Sequence, residues 1–101
     1  MKVMVVDDSM TMRRIVMVNL KKAGYSDIIE ADNGRAALDI LEGGERPGVI
    51  LLDWNMPEMS GLDLLKKIKG NSNLKSIPVI MVTSEAEKSA VVQAVQAGAM
   101  S

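Results

Sequence analysis

Four short apolar runs, Val3–Val6, Ile28–Ala31, Val49–Leu52 and residues 79–82, set the framework of this chain. Each is too short for a buried helix, and each is separated from the next by a segment of helical length and period. Between the first two runs, Met12, Ile15, Val16, Leu20 and Ala23 recur at three- and four-residue spacing and stop at Gly24. That spacing predicts an amphipathic helix whose polar face carries Arg13, Arg14, Lys21 and Lys22. A second helix is expected over Gly34–Glu42, ending at Gly43-Gly44. A third begins at Ser60, with Asp63 placed to complete a capping box, and closes at Gly70. A fourth reads over residues 85–97, with Val91, Val92 and Val95 inward and Gly98 as its stop. Parallel neighbours need a long connection and helices supply it with the right hand, so the alternation specifies an α/β fold built on a parallel sheet. The 101 residues are expected to form one continuous unit, with no room for a second domain.

Charge and composition then narrow the chemistry. Lys and Arg total 12 against 13 for Asp and Glu, a formal net charge of −1, so neither a nucleic acid nor an acidic membrane surface is the expected partner; another protein is. No apolar stretch approaches the length of a signal-peptide core or a membrane span. The chain has no cysteine, which excludes disulfides, thiolate metal sites and cysteine nucleophiles and agrees with a reducing compartment, so the cytoplasm is the expected location. Histidine is also absent, and any chemistry must rest on carboxylates, hydroxyls and amines. The nine methionines are read as core fillers, and Lys66, Lys67 and Lys69 as a solvated helix face.

In open parallel sheets, reactive groups collect where the loops leave the carboxyl ends of the strands. Asp7-Asp8 directly follows the first run, Asp53 follows the third, and Thr83-Ser84 closes the fourth, so three carboxylates and a hydroxyl are expected on one rim. Three anions so close repel one another, and a divalent cation is a simpler remedy than three large pKa shifts. Oxygen donors alone favour Mg²⁺, a hard ion that bridges carboxylates to phosphoryl oxygens. Phosphoryl transfer to a carboxylate is the reaction that suits such a site.

These residues also carry a resemblance. Met4-Val5-Val6-Asp7-Asp8-Ser9, Leu51-Leu52-Asp53-Trp54-Asn55-Met56-Pro57 and Met81-Val82-Thr83-Ser84 are similar to the receiver domains of bacterial two-component response regulators. With Thr11-Met12-Arg13-Arg14-Ile15-Val16, they most resemble the chemotaxis regulators of the CheY type. The resemblance covers the whole chain and implies a flavodoxin-like three-layer sandwich with strand order 2-1-3-4. It implies that Asp53 is the phosphoacceptor, that Asp8, Asp53 and the backbone carbonyl of Asn55 bind Mg²⁺, and that Asp7 acts largely through a water on the metal. Thr83 would contact the phosphoryl group and move inward as the switch. The donor would be a phosphohistidine on a partner histidine kinase, and the output would be binding to a flagellar motor switch protein. Such a domain is not a conventional enzyme, since it catalyses only its own phosphorylation and dephosphorylation.

The resemblance also implies a fifth strand with a phosphate-contacting lysine, then a fifth helix, and these have no counterpart among the 101 residues. Residues 79–82 are apolar throughout, the pattern of a strand with neighbours on each side, yet the order 2-1-3-4 leaves them at an edge. That edge is expected to be covered, by further residues or by a second copy in a dimer. A receiver fragment incompetent in signalling, or the receiver of another regulator, is the alternative reading. An aspartate-phosphorylating phosphatase would place its nucleophile in an Asp-x-Asp arrangement after the first strand, which Asp7-Asp8-Ser9 does not fit. A flavodoxin-type cofactor binder would need a glycine- and hydroxyl-rich first loop, which is lacking.

Overall fold

A computed structural model describes residues 1–54 and 56–81 of the chain. Expectations that fall on Asn55, Val82, Thr83, Ser84 and the helix over residues 85–97 lie outside the described residues. Within them the elements run β1 (Val3–Val6), α1 (Met10–Lys22), β2 (Ile28–Ala31), α2 (Gly34–Glu42), β3 (Val49–Leu52), α3 (Gly61–Lys69) and β4 (Val79–Met81). The strands form one parallel sheet in the order β2-β1-β3-β4, the flavodoxin-like arrangement expected above.

Each helix starts where a side chain can satisfy its first orphan amides. Ser9 Oγ accepts from the Met12 amide at 3.2 Å, Asn33 Oδ1 from the Ala36 amide at 2.7 Å, and Ser60 Oγ from the Asp63 amide at 3.2 Å. Just beyond the end of α1, Gly24 takes φ +96°, a left-handed conformation that glycine adopts without steric cost.

Right-handed crossovers between these strands send α1 to one face of the sheet and α2 and α3 to the other. The two faces are packed unequally. On the α2/α3 side, Met4, Val6, Ile50, Leu52 and Val79 of the sheet meet Leu38, Leu41, Leu64, Leu65 and Ile68 of the helices in one buried cluster. Such burial contributes roughly 1.5–3 kcal/mol per large side chain and is the main source of stability.

On the other face α1 packs over β1, and it contains no buried residue. Val3 and Val5 beneath it are buried, whereas Val49, Leu51 and Ile80 are half-covered. The apolar spacing correctly located the helix, and its stripe is only partly covered among the described residues. Val16 and Leu20 are half-buried, while Met12 and Ile15 remain 44% and 49% exposed. The reason is topological: among the described residues, one helix serves a face that spans four strands.

Candidate functional site

Sheet register brings the acidic residues together. Val6 pairs with Leu52, so the residues that follow, Asp7 and Asp53, leave adjacent strands at the same level. The ladder extends one step past the strands on both sides: the Asp53 amide donates to the Val6 carbonyl at 2.9 Å, and the Asp7 amide to the Ala31 carbonyl at 3.1 Å. Asp8 follows in the turn that leads to α1. One carboxylate oxygen from each of Asp7, Asp8 and Asp53 lies within 4.8 Å of the others. Asp7 is buried, Asp53 half-buried and Asp8 exposed, so the cluster opens to solvent on one side.

The turn itself is pinned at several points. Asp7 Oδ1 accepts from the Ser9 amide at 2.9 Å, and the Asp7 carbonyl accepts from Arg13 Nη1 at 2.7 Å. Unit charges at this separation repel by about 1–3 kcal/mol per pair at an effective dielectric between that of water and that of a protein surface. A hard dication is the group such a donor set fits, because all the ligand atoms are oxygens, the charges are three and negative, and one side is open to solvent. Of the residues expected at the site, the structure brings Asp7, Asp8 and Asp53 together; Asn55 and Thr83 lie outside the described residues.

The β3–α3 connection holds Asp53 from behind. The Gly61 amide donates to the Trp54 carbonyl at 2.9 Å, and a Cβ on Gly61 would collide with the Asp53 carbonyl oxygen and come within 2.9 Å of Trp54 Cα. Sequence reasoning missed this glycine, since a close backbone approach is set by how α3 seats on the loop.

Glu58 was also missed. It sits at φ +66°, with the Met59 amide donating to the Pro57 carbonyl at 2.7 Å, a three-residue turn of the rare and strained hand. Glu58→Gly is expected to raise stability by about 0.5–1 kcal/mol, because relief of the left-handed strain outweighs the added freedom of the unfolded chain. A higher urea midpoint at unchanged slope checks this.

Comparison with known proteins finds likeness over nearly the whole chain. The family model described as "Response regulator receiver domain" matches residues 3–101. Chemotaxis protein CheY1 of Helicobacter pylori is 49% identical over 98 residues, which cover 97% of this chain and 79% of that protein. Among solved structures, chemotaxis protein CheY4 of Vibrio cholerae superposes with a TM-score of 0.87 at 35% identity, covering 98% of this chain and 81% of that one. The Mn²⁺-bound form of response regulator Rcp1 gives a TM-score of 0.88 at 31% identity, covering 97% of this chain and 76% of its own.

Proposed function

The chain belongs to the response regulator receiver domain family, and from that premise we propose that it accepts a phosphoryl group on Asp53 within a chemotaxis-type two-component system. The observation that carries this reading is the convergence of Asp7, Asp8 and Asp53 within 4.8 Å at the carboxyl end of the sheet. Asp53 is the acceptor because it is half-buried at the end of β3, with its backbone fixed by Val6 on one side and backed by Gly61 on the other. A carboxylate oxygen of Asp53 forms a bond to phosphorus while the bond from phosphorus to the donor nitrogen breaks, and the departing imidazole keeps its electron pair and takes a proton. The donor is a phosphohistidine on a partner kinase, consistent with a chain that has no histidine of its own.

Asp7, Asp8 and Asp53, with the Asn55 carbonyl, are the residues that would hold Mg²⁺. The ion supplies charge neutralisation at the transferring group and removes the repulsion within the cluster. The Mn²⁺-bound relative supports a divalent cation in a fold of this kind. Thr83 is assigned contact with the phosphoryl group and the switch that follows. The output is binding to a flagellar motor switch protein, with the cytoplasm as the setting. Among the described residues, no helix is long and apolar enough to cross a membrane.

Incubation with acetyl phosphate and Mg²⁺, followed by intact mass, tests the reading directly. One phosphoryl adduct, which does not form when the metal is chelated beforehand and which is accompanied by a change in Trp54 fluorescence, is the expected result. A mass that stays unmodified with the ion present would refute it.

A further inference from the structure

Arg13 stands where helix electrostatics disfavour it. It lies near the N-terminus of α1, the positive end of the helix dipole, and no acidic residue occupies that first turn. Its side chain is nevertheless only 13% exposed, turned in against the sheet instead of out to solvent. The guanidinium spans two strand ends: Nη1 donates to the Asp7 carbonyl at 2.7 Å and Nε to Glu30 Oε1 at 3.1 Å. Asp7 follows β1 and Glu30 belongs to β2, so this one planar group ties the turn that carries Asp7 and Asp8 to the neighbouring strand. A lysine presents a single point charge and lacks the fork that reaches two acceptors in fixed directions.

We propose that Arg13 is a positioning residue for the cation site, holding the Asp7-Asp8 limb of the cluster at the distance from Asp53 that Mg²⁺ needs, with Glu30 as its anchor. The proposal rests on the reading of the cluster given above. It differs from a simple charge effect in sign. A fixed positive charge beside three carboxylates by itself weakens cation binding, so deleting it should tighten Mg²⁺ if charge were all that mattered. If Arg13 acts by holding the turn, deleting it loosens Mg²⁺ despite that electrostatic gain.

The test is a titration of the folded chain with Mg²⁺ alone, read by Trp54 fluorescence. Arg13→Met, which keeps the apolar stem, is expected to weaken Mg²⁺ by about tenfold, the low end of what groups that orient metal ligands contribute. Saturating Mg²⁺ should restore the full extent of phosphoryl uptake. Glu30→Gln should shift the midpoint less and in the same direction, and in the double variant it should add nothing to Arg13→Met, as expected for two members of one unit.

An unchanged or tighter midpoint in Arg13→Met overturns the proposal and leaves the site reading intact. Should that variant not fold, Arg13→Lys, which keeps the charge and loses the fork, decides alone: a weaker midpoint is expected, and an unmoved one is the overturning result. A parent chain that takes up no Mg²⁺ would overturn the site reading and this inference together.

Discussion

Asp53→Asn is expected to take up no phosphoryl group at all from acetyl phosphate and Mg²⁺, under conditions where the parent is modified once. The substitution keeps the shape of the side chain and removes the anionic oxygen that must attack phosphorus, so the loss is of chemistry and not of fold. An adduct that persists in Asp53→Asn, mapped to Asp7 or Asp8 by peptide mass, would transfer the acceptor role to that residue.

Gly61→Ala is expected to be the most damaging single methyl group among the described residues. The obstacles are backbone atoms: the added carbon meets the Asp53 carbonyl oxygen and Trp54 Cα, neither of which can rotate aside. Either α3 must lift from its seat, where Leu64, Leu65 and Ile68 are fully buried, or the end of β3 must shift. Overpacking of this kind costs about 1–3 kcal/mol and more when the backbone has to yield. For a domain this small, the upper end of that range lowers Tm by roughly 12 °C or more. The variant should also lose much of its Mg²⁺-dependent Trp54 signal, because the carbonyl that moves belongs to Asp53. Gly24→Ala is the informative control. That glycine has a positive φ and open space around it, so its substitution should cost conformational strain while leaving the site undisturbed. Equal urea midpoints for Gly61→Ala and the parent would show that α3 seats more loosely than these contacts indicate.

Much of this architecture is legible in the chain itself, for reasons that differ from element to element. β1, β2 and β3 coincide with their apolar runs: β1 and β3, flanked by strands on both sides, are apolar throughout, while β2, last in the strand order, carries Glu30 exposed. α2 and α3 are framed by residues whose capping chemistry is local, Asn33 and Ser60 at the start and Gly43 and Gly70 at the end. Asp7, Asp8 and Asp53 could be grouped before any coordinates, since parallel topology alone sends the ends of β1 and β3 to one rim.

What could not be read depends on distance across the fold. The solvent exposure of Met12 and Ile15 follows from how many helices share a sheet face, which helical periodicity does not encode. Arg13 was placed on a polar helix face, and only the structure turns it inward to Asp7 and Glu30. The available hint was a cation in a first turn that lacks any acid to complement the dipole. Gly61 looks like any glycine after a capping serine until the carbonyl of Asp53 is seen against it.

Among the described residues the two sheet faces are unequally dressed, and that difference has a dynamic consequence. A helix fastened by half-buried contacts releases at a lower free energy than the layer opposite, so amide protons of α1 should exchange with solvent through a partial opening that leaves the α2 and α3 amides protected. The turn bearing Asp7 and Asp8 runs straight into that helix, and every such excursion scatters the acidic constellation before it reassembles. Competence for ligand is then a population, set by the fraction of time α1 is docked, and whatever presses on its outer stripe gains leverage over events at Asp53.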